Sequence, residues 1–289
     1  MNHLPKLLTA VLLFFYSASF ASQQTVLLSE AMKRRWVDIV ATSAGGALGR
    51  CLTLSIRNKT ANDMEFKMDD GLIFRPDDTT YQNLVVVGEE RLAVKAKETG
   101  SVRLWTFCGK SYARGPRTGL NYQFWKKGDT ELVSVAKYIR EHSLYDYTGQ
   151  HGIWSITNGH RLSSIYNSSN VEASTEFAKY IASITGRKLP GYNTIHKIST
   201  AYSGVVFNPE VEEYVVDISW TTPKPRNMHV TVYKEGGELY REVKEELLKG
   251  NEHKVVVKLD PKKDPKGTYL VQLWDDDNNI YRKESVEVE

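Results

Sequence analysis

From Arg50 onward, short apolar runs recur along the chain with polar punctuation between them. CLTLSIRN (residues 51–58) alternates apolar and polar positions, and DMEFKM (63–68), NLVVV (83–87), RLAVKA (91–96) and SVRLWTF (101–107) follow, separated by turn residues such as Asp69-Asp70-Gly71 and Arg75-Pro76-Asp77-Asp78. Period two between turn signals predicts about five antiparallel strands, the arithmetic of a sandwich. Ahead of them, Met32, Trp36, Ile39 and Val40 stand at helical spacing in residues 28–42, where a helix and an extended lead-in strand both remain open.

Two later stretches read as helices. Asp129 is placed to cap residues 130–143, whose Leu132, Val133, Ala136 and Ile139 share one face. Val171–Thr185 carries Phe177, Tyr180, Ile181 and Ile184 at helical spacing and stops at Gly186, a natural residue just past a helix end. Between them, residues 145–169 are rich in aromatic and turn residues. Residues 187–200 lack a period, contain Pro190-Gly191, and read as a linker.

A second strand pattern closes the chain: VVF (205–207), EYVVDISW (213–220), MHVTVY (228–233), HKVVVKL (253–259), TYLVQLW (268–274) and IYRKESVEV (280–288). The fold expected is mainly β with a minor α part. An antiparallel β-sandwich with two or three helices spans residues 22–186, and an immunoglobulin-like sandwich spans 201–289.

Residues 1–21 have the build of a signal peptide: Lys6 in a short n-region, an apolar run from Leu7 to Tyr16, and Ser19 and Ala21 before the cut. The mature chain is then expected to begin at Ser22 and to be exported to periplasm, cell surface or medium, with no membrane span left after cleavage. An oxidising compartment lets Cys51 and Cys108, both in strand-like runs, form a disulfide. Closing its loop of ~57 residues is worth about 4 kcal/mol in the chain-entropy picture.

Composition narrows the function by exclusion. With 38 Lys+Arg against 35 Asp+Glu, a formal charge of +3 is too small for a protein that lives on phosphate backbones, so nucleic acid is not an expected partner. The sequence contains no nucleophile elbow, P-loop or dinucleotide fingerprint, and no cofactor is called for. His142, His151 and His160 recur at nine-residue steps without a metal-ligand motif and read as surface histidines. Asp275-Asp276-Asp277-Asn278-Asn279 opens like a calcium loop, yet Ile280 and Val286 stand where Gly and Glu belong, so a polar hairpin turn is expected.

The remaining signal is aromatic. Tyr112, Tyr122, Phe124, Trp125, Tyr145, Tyr147 and Trp154 are interleaved with Lys110, Arg114, Arg117, Lys126 and Lys127. Rings beside cations suit a glycan, an anionic polymer or a protein partner, and equally a seam between sandwich and helices. Tyr112, Trp125 and Tyr147 are the expected exposed members, and with Trp154 they form the candidate ligand-binding set.

Some of these runs carry resemblances. The C-terminal pattern, with Gly236-Gly237 in a turn and Gly267-Thr268-Tyr269 opening a strand, resembles FlgD-like immunoglobulin modules and the C-terminal sorting domains of type IX secretion in Bacteroidota, although this chain ends in VEVE without the usual basic residues. Over about residues 25–185 the chain is similar to an uncharacterised group of secreted Bacteroidota proteins. The shared segments are Cys51–Asn58, Gly71-Leu72-Ile73-Phe74, Gln82–Val86, Trp105-Thr106-Phe107-Cys108 and the run from Gln150 through Trp154 to Ile156; this resemblance implies export and fold but no activity. The run from Gln150 to Trp154 also resembles bacterial surface thioester adhesin domains, whose Cys–Gln crosslink needs a reactive cysteine. Pairing of Cys51 with Cys108 argues against that chemistry here.

Taken together these readings predict an exported non-enzymatic module for binding, adhesion or envelope assembly that recognises a surface protein or glycan. The alternative is a secreted glycan-acting hydrolase with its site near Tyr145–His160.

Overall fold

The computed structural model describes residues 24–198, 204–221, 227–243 and 252–289. The leader, the proposed cut and the start of the mature chain lie outside these residues.

The described residues open with β1 (Gln24–Leu27), a short helix α1 (Leu28–Lys33) and β2 (Val37–Ser43). Both openings left by the 28–42 pattern are therefore used in turn, with Arg35 in the left-handed region (φ 58°) reversing the chain between them. There follow β3 (Leu48–Asn58), β4 (Met64–Lys67), β5 (Leu72–Pro76), β6 (Leu84–Val86), β7 (Arg91–Val94), β8 (Thr99–Cys108) and β9 (Asn121–Lys127).

The strands of this half close on themselves as a barrel in the order β2-β3-β8-β6-β5-β9, with β1-β4-β7 as a separate three-stranded sheet. Alternation in β3 sends Leu52, Leu54 and Ile56 inward against Phe66, Phe74, Leu84, Val86 and Leu104. The unbroken NLVVV run is explained by burial on both faces. Leu84 and Val86 belong to the barrel core, whereas Val85, Val87 and Phe107 pack outward beneath the helices.

Those helices are α2 (Thr130–Glu141), α3 (Tyr147–Thr157) and α4 (Val171–Thr185), with a 3-10 turn at Leu162–Ser164. Asp129 caps α2 by accepting from the Leu132 amide at 2.9 Å, and α4 ends at Gly186 with φ 67°, as the sequence predicts. Leu132, Val135, Ile139, Ile153, Phe177 and Ile181 bury against Val85 and Phe107 to make a second core.

The C-terminal half is a two-sheet sandwich built from β10 (Asn193–His196), β11 (Val211–Thr221), β12 (Met228–Lys234), β13 (Leu239–Val243), β14 (Glu252–Leu259), β15 (Gly267–Asp275) and β16 (Ile280–Val288). One sheet runs β10-β11-β14 and the other β13-β12-β15-β16. Tyr214, Val216, Ile218, Val257, Val232, Val271 and Val286 fill the space between them. Residues 193–196, read as linker from their lack of period, pair with β11 (Thr194 opposite Tyr214), so this part of the connection belongs to the sandwich. The strand expected at 205–207 is instead a strap: Val205 bridges to Arg114 of the barrel half, and Phe207 inserts among His151, Trp154, His160 and His196. The Asp275 loop is a polar turn, its carboxylate accepting from the backbone amides of Asp277 and Asn279 and from the Tyr281 hydroxyl.

The disulfide is not formed. Cys51 and Cys108 are both buried free thiols. A bulge between Gly49 and Leu52 shifts the β3–β8 register at Cys51, and the Cys108 thiol instead donates to the Ala47 carbonyl at 2.9 Å. Burial raises both thiols above their ordinary range, Cys108 the more strongly.

Candidate functional site

The helix α3 organises the site region, and its sequence shows why it was not legible as a helix. Asp146 caps it, accepting from the Thr148 amide at 2.8 Å, but Gly149 and Gly152 interrupt any apolar stripe. Both glycines are required by close approach: a Cβ on Gly149 would lie 2.1 Å from the Leu144 carbonyl oxygen, and one on Gly152 would lie 2.3 Å from the Phe177 ring. Between them, Gln150 uses its side-chain amide as a strand mimic. Its Oε1 accepts from the Cys108 amide at 2.9 Å and its Nε2 donates to the Cys108 carbonyl at 2.8 Å, which terminates β8 without an unpaired peptide group.

The four candidate ligand-binding residues separate into two places. Tyr112 and Trp125, 71% and 43% exposed, line a groove of about 450 Å³ on the outside of the barrel together with Arg75, Asn83, Lys110 and Lys126. The Arg75 guanidinium sits 3.9 Å and the Lys126 ammonium 4.6 Å from the Trp125 ring centroid. None of Arg75, Lys110 and Lys126 forms an ion pair among the described residues. Burial and, to a lesser extent, the nearby Arg75 lower the Lys110 ammonium below the ordinary lysine range.

The loop that carries Lys110 and Tyr112 is fixed from below by Gln82. Its Oε1 accepts from the Lys110 amide and its Nε2 donates to the Ala113 carbonyl, both at 2.8 Å. Next to it Asn83 lines the groove at 7% exposure, and its Oδ1 has no hydrogen-bond partner.

Tyr147 and Trp154 belong to a different place, a cavity of about 460 Å³ between α3, the 3-10 turn, β10 and the strap. Tyr147 is 64% exposed, whereas Trp154 is 2% exposed, so Trp154 is a buried wall and not an open stacking platform. His151 and His160 are not surface histidines. His151 and His196 stack at 6.0 Å, and His160 and His196 flank Phe207 at 4.5 and 4.9 Å. His142 lies apart from them, stacked on Tyr138 at 3.9 Å.

Burial, reinforced by His196, pushes His151 down to about 3 and His160 to about 4, so both are neutral at pH 7. His196 bridges the two halves: its Nε2 meets the Ser164 hydroxyl at 2.9 Å and its Nδ1 meets the Pro209 carbonyl at 3.3 Å. A carbonyl only accepts, so that contact places the ring proton on Nδ1 and leaves Nε2 to accept from Ser164.

Among the described residues no group of three potential ligands converges for a metal ion. The cavity is lined by no Asp or Glu, and the groove by Asp129 alone, whose Oδ1 already caps α2. No helix among the described residues is long and apolar enough to cross a membrane. The sequence indicated the Tyr112–Trp125 pair through its interleaved cations; it gave no sign of Asn83 or of the strap, because neither lies in a chemically marked run. No family model, no curated protein and no solved structure matches the chain.

Proposed function

We propose that the protein is an exported, non-enzymatic binding module of the cell envelope that recognises an anionic glycan through the Tyr112–Trp125 groove, with the C-terminal sandwich as spacer or sorting element. The observation that carries this reading is the stacking of Arg75 and Lys126 on one exposed tryptophan, with Lys110 in the same groove and Asp129, the α2 cap, as its one carboxylate. Stacking rings supply affinity for the faces of sugar residues, and the three cations attract carboxylate or sulfate substituents. The glycan-hydrolase alternative needs two carboxylates flanking one bond, and neither lining holds such a pair. Retention on immobilised polygalacturonate but not on neutral dextran, lost in the double variant Arg75→Gln, Lys126→Gln, tests the assignment.

One observation favours a second, covalent form of the same adhesive role. Cys108 forms no disulfide and its peptide is held by the Gln150 side chain, so pairing with Cys51 no longer stands against the thioester resemblance, while the buried thiol is protonated and hydrogen-bonded to the Ala47 carbonyl. In that reading the Cys108 thiol attacks the Gln150 side-chain carbonyl, a C–S bond replaces the C–N bond, and ammonia leaves with the thiol proton. Intact mass of the purified chain distinguishes the two: loss of one ammonia supports the thioester, and an unchanged mass removes it.

A further inference from the structure

The cavity between the two halves is distinct from the groove, and its polar inventory is unusual. Trp154, almost fully buried, carries an indole N–H with no acceptor, and His151 carries an Nδ1 with no partner. Both residues line the cavity. An unmet buried polar group costs about 1–3 kcal/mol, so two of them on residues that line one cavity point to something that meets them.

The remaining walls restrict what that is. Tyr147, Tyr166, Val206 and Phe207 offer apolar and ring surface. The one formally charged lining residue, Lys197, is ion-paired with Glu210. The Tyr166 phenol is pushed up to about 12 by burial and by the neighbouring Asp217 charge, and stays neutral. The lining histidines His151 and His196 are lowered by burial and neutral as well. An anion would find no free cation here, and a cation no free carboxylate.

We propose that this cavity binds a small, uncharged, ring-bearing ligand whose amide or equivalent donor–acceptor group accepts from Trp154 Nε1–H and pairs with His151 Nδ1. The volume, about 460 Å³, lies in the range of ordinary small-molecule sites. An amide satisfies the histidine in either tautomer, since it both donates and accepts.

Benzamide, benzoate and toluene test this on the full chain at pH 7 by ligand-observed NMR titration and thermal shift. They share a ring and differ in polar group and charge. Benzamide is expected to bind at least about tenfold more tightly than either of the others, and Trp154→Phe, which removes only the N–H donor from a ring wall, to cancel that advantage while leaving toluene unchanged. Trp125→Ala, in the groove, leaves benzamide binding intact. Equal binding of all three probes in the wild-type chain, or no binding of any, overturns the proposal without recourse to a variant, and benzamide binding indifferent to Trp154→Phe overturns the assigned contact.

Discussion

Gln150 and Cys108 are 42 residues apart and hydrogen-bond twice, side-chain amide to backbone peptide, at 2.9 and 2.8 Å. This contact locks α3 against the end of β8 and so fixes the cavity wall that follows it. Gln150→Ala leaves the Cys108 peptide unpaired in a buried position. The expected loss is about 2–3 kcal/mol in denaturant unfolding, whereas Gln123→Ala at an exposed position of β9 costs under about 0.5 kcal/mol.

The two cysteines give a second prediction. As buried free thiols with raised pKa values, both resist a thiol reagent in the native state and both react once the chain is denatured. Two titratable thiols in denaturant agree with the structure. None identifies a disulfide, and one accompanied by loss of ammonia identifies the Cys108–Gln150 crosslink.

Gly152 is a sharper test of packing. In an exposed helix, Gly→Ala gains about 1 kcal/mol, but here the added Cβ falls 2.3 Å from the ring of Phe177, which is fully buried and has no room to retreat. Overpacking outweighs propensity, and Gly152→Ala is expected to destabilise by about 1–3 kcal/mol. A rise in Tm contradicts the α3–α4 contact.

Stability also depends on the histidines. His151 and His160 in the folded chain titrate at about 3 and about 4, below their ordinary 6.5, because burial disfavours the imidazolium. Below pH 6.5 the unfolded chain takes up protons that the folded chain refuses. The contribution is therefore complete above pH 6.5 and is lost as pH falls toward the folded values. His151 alone sets a slope of up to about 1.4 kcal/mol per pH unit, with a smaller share from the more accessible His160. Thermal unfolding between pH 7 and 4.5 is expected to show a falling Tm that flattens in His151→Leu; an unchanged Tm across that window contradicts the burial.

How far these features were legible in the sequence follows from what each depends on. β3 and α4 were readable because local period and burial agree: alternation through Leu52, Leu54 and Ile56, and a stripe through Phe177 and Ile181 ending at Gly186. Helix α3 was not, since its two glycines serve contacts with Leu144 and Phe177 that only the tertiary structure supplies. Likewise β10 exists because β11 offers it an edge, and four residues without a period give no such notice. The cysteines are free thiols beside a register shift at Cys51, neither of which any spacing rule reveals. Of the candidate site, the aromatic and cationic residues were visible as types; their division between groove and cavity depends on Trp154 being an inner wall.

The central claim rests on Trp125 with its cations, and affinity for a charged glycan measures it directly. Binding of polygalacturonate and neutral dextran to the wild-type chain and to Trp125→Ala, followed across increasing salt, is the decisive measurement. Selective binding of polygalacturonate that weakens with salt and falls at least about tenfold in Trp125→Ala, with Tm unchanged, is the predicted result. Binding that is equal for both polymers, or that survives loss of the tryptophan, contradicts the account.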